Sequence, residues 1–210
     1  MPMDQPARDC ALCPRLAEYR RANAVAWPDW HNAPVASFGP LDASLLIVGL
    51  APGVRGANRT GRPFTGDYAG DLLYPTIAEF GFGAGKFDAR PDDGFRMIDC
   101  RITNAVRCVP PENKPTTPEI IACNAFLKAE IEGLVNLRAI LALGLIAHKA
   151  VLRSMGLVAA RYSFGHGAMH DLPNGMLLTD SYHCSRYNTN TGRLNEEKFH
   201  AVFAALRKKL

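Results

Sequence analysis

Six cysteines are the first residues in this sequence whose spacing suggests chemistry. Cys10 and Cys13 form a C-x-x-C pair near the amino terminus, and Cys108 and Cys123 lie far along the chain. A thioredoxin-type redox pair follows a strand and opens a helix, but no strand pattern precedes Cys10, which argues against that chemistry. Four thiolates can instead hold a zinc ion or a [4Fe–4S] cluster. The spacing favours a metal site and does not separate zinc from iron–sulfur.

A glycine-rich polar segment offers a second candidate site. Residues 49–53 read Gly-Leu-Ala-Pro-Gly, and residues 56–67 read GANRTGRPFTGD. Glycines let the backbone approach a ligand closely, but no Gly-Lys-Ser/Thr follows, which excludes a Walker loop. Phe64 could pack under the loop as a buttress or stack on a flat base. Asp67 could cap the following helix or act as a catalytic carboxylate.

Short apolar runs alternate with helical patterns along the chain. The runs that predict buried strands lie at residues 44–50, 101–107, 139–144 and 176–179. Strands that alternate with helices predict a mostly parallel sheet covered on both faces. No repeat or linker interrupts the pattern, so we expect one domain over residues 1–210.

Three helical patterns stand between or after these strands. One begins at Thr117, where the following proline suits the first helical position, and a second spans 145–155. The cleanest pattern is the carboxyl-terminal one, with apolar residues at helical spacing at Phe199, Val202, Phe203, Leu206 and Leu210.

Composition limits the class of protein. Hydrophobic residues make up 48% and charged residues 21%, which excludes a disordered chain. Lysine and arginine total 24 against 20 acidic residues, and the resulting charge of +4 permits a polyanionic partner without demanding one. The apolar run at 139–147 is shorter than the roughly 20 residues of a membrane span, and the amino terminus lacks a secretory signal. We therefore expect a cytoplasmic protein with no membrane partner and no disulfides.

Polar segments converge on one edge of the predicted sheet. Ligands of open parallel sheets bind beyond the carboxyl ends of the strands. The segments 50–71, 104–114 and 180–194 all follow predicted strands there. His148, which follows the third strand, is expected near a nucleic-acid backbone. His166 and His170 have H-x3-H spacing but lie outside any helical pattern, so no metal site is predicted for that pair.

Four motifs occur in a fixed order along the chain, namely GLAPG, NRTGRPFTGD, ITNAVRCVPPENKP and SYHCSRYNTNTGRL. Together they resemble the motifs of the family 5 uracil-DNA glycosylases, iron–sulfur members of the uracil-DNA glycosylase superfamily. The resemblance runs from Cys10 to about Leu194. One departure is Cys184, which stands where members often carry the proline of His-Pro-Ser. Because proline fixes φ, this departure concerns the rigidity of the loop and not the identity of His183.

The resemblance implies a three-layer α/β/α fold around a central four-stranded parallel sheet. It implies a [4Fe–4S] cluster whose ligands are Cys10, Cys13, Cys108 and Cys123. Cys100 and Cys184 are left as non-ligands. It further implies a monofunctional, monomeric DNA repair enzyme that removes uracil, hypoxanthine and other deaminated bases from double- and single-stranded DNA.

Breaking an N-glycosidic bond develops positive charge on the deoxyribose and negative charge on the departing base, so a protein can help at both ends. The related family 4 carries an acidic residue in the first motif where this chain has Ala51, which is expected to line the base pocket. The catalytic carboxylate must then come from elsewhere, and Asp67 is the candidate to orient water or balance the sugar cation.

The remaining roles fall on residues after the other strands. His183 would donate a hydrogen bond to uracil O2, and the Asn104 amide would match the O4 and N3–H edge. Phe64 would stack on the base after it leaves the duplex. Four residues of the loop after His183 are expected to contact DNA, although a solvated surface loop would also carry them: Ser185, Arg186, Asn188 and Arg193.

Two other functions fit part of the sequence. A zinc- or cluster-stapled nucleic-acid-binding protein without catalysis explains the cysteines and the basic charge. It does not explain Asp67, Asn104 and His183 at one sheet edge. A hydrolase of free nucleotides is suggested by the glycine-rich loop.

Overall fold

A computed structural model describes residues 5–210, so the first four residues of the expected 1–210 domain lie outside it. The strands are β1 Leu45–Gly49, β2 Gly83–Ala84, β3 Arg96–Met97, β4 Cys100–Asn104, β5 Ala139–Leu143, β6 Met169–Asp171 and β7 Leu177–Ser181. The helices are α1 Pro14–Ala26, α2 Ala57–Thr60, α3 Tyr68–Glu79, α4 Thr117–Gly133, α5 Leu145–Ser154, α6 Arg186–Asn190 and α7 Glu196–Arg207. Two 3₁₀ turns span Pro111–Asn113 and Ala159–Arg161.

The central sheet has the strand order β4-β1-β5-β7-β6. The first four strands are parallel, and β6 pairs antiparallel with β7 at the edge. The predicted α/β fold with four central parallel strands is therefore confirmed, and β6 is an additional edge strand. Its three residues are too few to produce a periodic pattern in the sequence. The separate antiparallel pair β2–β3 was not predicted for the same reason.

Both faces of the sheet are covered because successive side chains of a strand point to opposite sides. Leu45 and Ile47 of β1 face one core, which α3 and α7 complete. Leu46 and Val48 face the other core, which α4 and α5 complete. A strand buried on both faces reads as an unbroken apolar run, which is why β1 was visible in the sequence.

Element boundaries differ from the sequence in two places. The predicted strand at 101–107 ends at Asn104, where the chain turns into the site described below. Helix α7 ends at Arg207, so Leu210 packs against the core from beyond the helix. Within residues 5–210, none of the helices has both the length and the apolar character that crossing a bilayer requires.

A buried charge network anchors β4 to α4. The Glu130 carboxylate is fully buried and accepts hydrogen bonds from Arg101 Nε at 2.7 Å, from Arg107 Nη2, and from Ser37 Oγ at 2.6 Å. Burial alone would raise the pKa of Glu130, but Arg107, Ser37 and Arg101 outweigh it, so the pKa is lowered. Glu130 is therefore charged at neutral pH and balances two buried guanidinium groups.

Replacing Glu130 by alanine should be strongly destabilising, because it leaves the Arg101 and Arg107 guanidiniums buried without a counterion. Loss of one partner of a buried pair typically costs about 3–5 kcal/mol. Glu132→Ala on the same helix is the matched control, since its pair with Lys128 is 3.8 Å apart and exposed, and it should cost less than about 1 kcal/mol. Urea unfolding of both variants measures the difference, and equal losses would contradict the proposed charge balance.

Candidate active site

A cavity of about 830 Å³ opens at the carboxyl edge of the sheet. Its lining comes from the segment after β1, the start of α3, the turn between β5 and α5, and the loop after β7. The 3₁₀ turn after β4 contributes Asn113. Its volume lies within the range of small-molecule sites, roughly 300–1,000 Å³. The expected convergence of loops at this edge is confirmed.

Asp67 sits at the N-cap position of α3, where the N–H groups of Ala69 and Gly70 are directed at its carboxylate without reaching normal hydrogen-bond geometry. Its Oδ1 atom is buried and has no hydrogen-bond partner among the described residues. Burial raises the pKa of Asp67; the charge of Asp71 adds to this, and N–H groups of Ala69 and Gly70 partly offset it. Because the carboxylate lines the cavity, it can act on a bound molecule there, which favours the catalytic interpretation over the helix cap.

Glycine makes room for that carboxylate. A Cβ atom at Gly56 would come within 2.8 Å of Asp67 Cγ, and one at Gly53 would lie 3.1 Å from Asp67 Oδ2. The glycine-rich segment therefore makes room for the Asp67 carboxylate, a role that no sequence pattern indicated.

Phe64 and Asn104 lie together against Gly49, behind the residues that line the cavity, and Phe64 packs in the main core. A Cβ at Gly49 would overlap the tip of the Phe64 ring and the Asn104 Oδ1 atom. Gly49 is the register partner of Asn104 across β1 and β4. Asn104 is only 3% exposed, and none of the hydrogen bonds among the described residues involves its side chain. The pairing of two strand ends thus presents a free amide beside an aromatic ring.

Phe64 holds a left-handed backbone conformation, with φ of 54°. The neighbouring Arg62 fixes this turn by donating to both oxygens of Asp93, at 2.7 and 2.8 Å, and to Thr65 Oγ1 at 2.7 Å. The Arg62 guanidinium holds the pKa of Asp93 well below its usual range. Because a left-handed phenylalanine is strained, this buried pair is the local reason that the ring stays in place.

His183 faces Phe64, with ring centres 5.8 Å apart and planes inclined by 28°. The imidazole lines the cavity, and enclosure by protein atoms lowers its pKa to about 4. His183 is therefore neutral at pH 7. It can donate or accept a hydrogen bond, but it holds no positive charge in the absence of a ligand.

The loop after His183 carries the four residues expected to contact DNA. Ser185 and Arg186 line the cavity, and the Arg186 guanidinium lies 5.3 Å from the Tyr68 ring centre. The Asn188 amide donates to the His183 carbonyl oxygen at 2.8 Å, so it braces the loop. Arg193 lies over the Tyr182 ring at 4.3 Å. The DNA contacts of these residues stay a prediction.

Several cavity residues escaped the sequence analysis. They are Arg55, Tyr68, Asn113, Leu145 and Ile146. Leu145 and Ile146 are exposed apolar residues in the first turn of α5. Their exposure points to a binding surface, but it cannot be read from the sequence. The expectation for His148 is wrong, because its side chain is buried and cannot reach a nucleic acid from that position.

Four of the cysteines come together in a second cluster, separate from the cavity described above. Their side chains pack in one cluster and line one small cavity, and they are Cys10, Cys13, Cys108 and Cys123. The remaining lining is apolar except for Arg107, with no carboxylate among the described residues there. Soft sulfur donors in an apolar pocket fit a zinc ion or an iron–sulfur cluster. Cys100 and Cys184 lie apart from them in the main core.

The free thiols would resist ionisation. Burial, reinforced by the neighbouring thiols, raises the pKa of Cys13 to about 11 and that of Cys108 to about 12. Metal ligands must be thiolates, so a bound cation would supply the charge that this pocket lacks. Arg20 shapes the pocket by donating to the carbonyl oxygens of Arg8 at 2.9 Å and Cys10 at 2.6 Å.

Comparison with known proteins decides the family. Residues 36–207 match the model of the uracil DNA glycosylase superfamily. The chain belongs to the uracil-DNA glycosylase superfamily. It is similar to proteins named Type-5 uracil-DNA glycosylase from three organisms. The relative from Thermus thermophilus is 45% identical over 90% of this chain and 89% of its own length. The relative from Mycobacterium leprae is 41% identical over 95% of this chain and 90% of its own length. The relative from Pyrobaculum aerophilum is 40% identical over 90% of this chain and 84% of its own length.

These relatives confirm the resemblance to family 5 that the motifs indicated. The superfamily match begins at residue 36, so it covers the sheet and the cavity but not Cys10 and Cys13. The matches to individual relatives extend over 90% or more of the chain. In this uracil-DNA glycosylase, the thiol cluster therefore joins the superfamily fold to a preceding segment that contains α1.

Removing one of the four converging sulfurs tests whether they hold a metal. Cys108→Ala is expected to lower metal content and soluble yield together, because ligation in such sites is coupled to folding. Cys100→Ala is the matched control, since Cys100 is equally buried but lies in the main core. Metal per chain is measured by elemental analysis of both purified variants. Wild-type metal content in Cys108→Ala would remove that residue from the ligand set.

Proposed function

We propose that this chain is a monofunctional DNA repair glycosylase that hydrolyses the N-glycosidic bond of uracil in DNA and leaves an abasic site. The names of its relatives support uracil as the base. The observation that carries the proposal is the Asp67 side chain, which is half-buried, has one buried oxygen without a hydrogen-bond partner among the described residues, and lines a nucleotide-sized cavity. The cavity also leaves room for a purine, which favours hypoxanthine and other deaminated bases as further substrates.

Asp67 acts at the sugar in this proposal. As the base departs, the deoxyribose gains positive charge, which a carboxylate in a water-poor site stabilises more strongly than one in water. The carboxylate lines the cavity, so it can face that charge or orient the attacking water. A carboxylate that capped the helix would accept hydrogen bonds from the N–H groups of its own first turn instead of acting on the substrate.

The base is held by three neutral groups. Phe64 offers a ring for stacking, and the Asn104 amide offers a donor and an acceptor for the O4 and N3–H edge of uracil. His183, neutral at pH 7 because its pKa is about 4, donates a hydrogen bond to O2 as negative charge grows on the departing base. Ala51 leaves space in the cavity wall where a larger side chain would restrict the base.

The target base must leave the helix to reach this cavity. Arg186 lies at the cavity beside Tyr68, so it can grip a phosphate next to the extruded nucleotide. Ser185, Asn188 and Arg193 extend this surface along the same loop. We propose that a single 1–210 domain acts as a monomer on double- and single-stranded DNA.

We further propose that Cys10, Cys13, Cys108 and Cys123 hold a [4Fe–4S] cluster with a structural role. The cluster would bring the positive charge that keeps the four sulfurs as thiolates. Arg20 holds the first cysteine pair through the Cys10 carbonyl, and the Arg107 N–H donates to Cys123 Sγ at 3.3 Å. The residues around this site tie α1 to the segment after β4.

Asp67→Asn separates chemistry from binding. The change preserves size and removes the charge, so single-turnover excision from a U:G duplex should fall by on the order of 10²–10³. Binding to the same duplex should change little, because recognition rests on other residues. Asp71→Asn is the matched control, since this exposed carboxylate lies in the first turn of the same helix.

Two results would overturn the proposal in different ways. Excision by Asp67→Asn within a few-fold of the wild-type rate would show that the carboxylate does not act in the reaction. Binding of uracil-containing DNA by the wild-type protein without any base release would instead favour a nucleic-acid-binding protein without catalysis.

A further inference from the structure

Three metal-ligating side chains converge away from the four cysteines. They come from three elements, with His148 on α5, His170 on β6 and Asp180 on β7. One ligand atom from each lies within 4.8 Å of the others. His148 and Asp180 are 1% and 0% exposed. Polar side chains this deeply buried need partners, so the hydrogen bonds of each group decide what the cluster can hold.

The two nitrogens of His148 both face acceptors. Nε2 lies 2.9 Å from the Tyr162 carbonyl oxygen, and Nδ1 lies 2.7 Å from Asp180 Oδ1. A carbonyl oxygen can only accept a hydrogen bond, so Nε2 carries a proton. In a neutral ring Nδ1 would then present a lone pair to a carboxylate, which is repulsive. The contact therefore needs either a proton between Nδ1 and the carboxyl group, carried by one or the other, or a metal ion.

His170 distinguishes between these two cations. Its Nε2 atom is buried, has no hydrogen-bond partner among the described residues, and lies 3.6 Å from Asp180 Oδ2. A proton on His148 would satisfy the contact with Asp180 but would leave this nitrogen unpaired. A metal ion between the three side chains would satisfy His148 Nδ1, His170 Nε2 and the carboxylate together.

We propose that His148, His170 and Asp180 form a binding site for a divalent transition-metal ion such as Zn²⁺. Two imidazoles and a carboxylate are ligands that this ion accepts, at about 2.0–2.2 Å. Ligand atoms of a tetrahedral ion at that distance are separated by roughly 3.4 Å. His148 Nδ1 lies 2.7 Å from Oδ1 of Asp180, and His170 Nε2 lies 3.6 Å from Oδ2, so the two imidazoles face different oxygens of one carboxylate. All three ligand atoms lie within 4.8 Å of one another, so small side-chain shifts bring them to the spacing of a bound ion.

The surroundings match those of a metal-bound histidine. Such a residue almost always donates its second ring N–H to a carboxylate or carbonyl oxygen, as His148 does to Tyr162. The ion would tie β6 and β7 to the first turns of α5. Because Leu145 and Ile146 of that helix line the cavity, the site would stabilise one wall of it without touching a substrate.

The test measures zinc uptake by the intact protein. Chelator-treated wild-type protein is titrated with Zn²⁺ without oxygen, and zinc and iron per chain are determined in the same samples. We expect one zinc per chain with iron unchanged, together with a higher thermal unfolding midpoint. His170→Ala, at a partly exposed edge strand, should weaken zinc binding by at least about tenfold, since even loss of an outer partner costs 10–100-fold.

The matched control is His200→Ala. His200 is a partly exposed histidine beside Glu79 and Glu196 on the other face of the sheet, and its loss should leave zinc uptake unchanged. The proposal is overturned if wild-type protein takes up no zinc, if zinc binds only as iron is lost, or if His170→Ala binds zinc as tightly as wild type. In each case a proton between His148 and Asp180, without a metal ion, would account for their contact.

Discussion

The site depends on one unfavourable interaction, the burial of the Asp67 carboxylate with an unpartnered oxygen. An unpaired polar group in a protein interior costs free energy, so the packing and hydrogen bonds of the surrounding fold have to offset that cost. Gly53 and Gly56 leave the space that the carboxylate occupies. The Arg62–Asp93 pair holds the left-handed turn at Phe64, three residues before Asp67. As a result, one carboxylate oxygen of Asp67 makes no hydrogen bond to its own helix.

Much of the fold was visible in the sequence, because strands buried on both faces and amphipathic helices leave strong patterns. Strands β1 and β5 and helices α4 and α7 lie within a few residues of their predicted positions. Strand β6 was missed because it has three residues. The contact between Arg62 and Asp93, 31 residues apart, belongs to the packed molecule and leaves no local pattern.

The candidate site shows the same division. Strand ends and glycine-rich loops pointed to Asp67, Asn104 and His183, since the carboxyl ends of parallel strands meet at one edge. Tyr68, Asn113 and the exposed first turn of α5 entered only through the shape of the cavity. The prediction that His148 lies near a nucleic acid was wrong. A histidine that follows a strand gives no sequence signal of whether its side chain points to the surface or, as here, into the interior.

The fold holds Asp67 as a partly desolvated carboxylate. The most direct measurement is a carbon-13 NMR titration of its side-chain carboxyl group, with the resonance assigned by its loss in Asp67→Asn. Burial disfavours the charged form, so the pKa measured as the titration midpoint is expected above the ordinary value of 3.8. A midpoint at or below 3.8 would show that the carboxylate is solvated or capped instead.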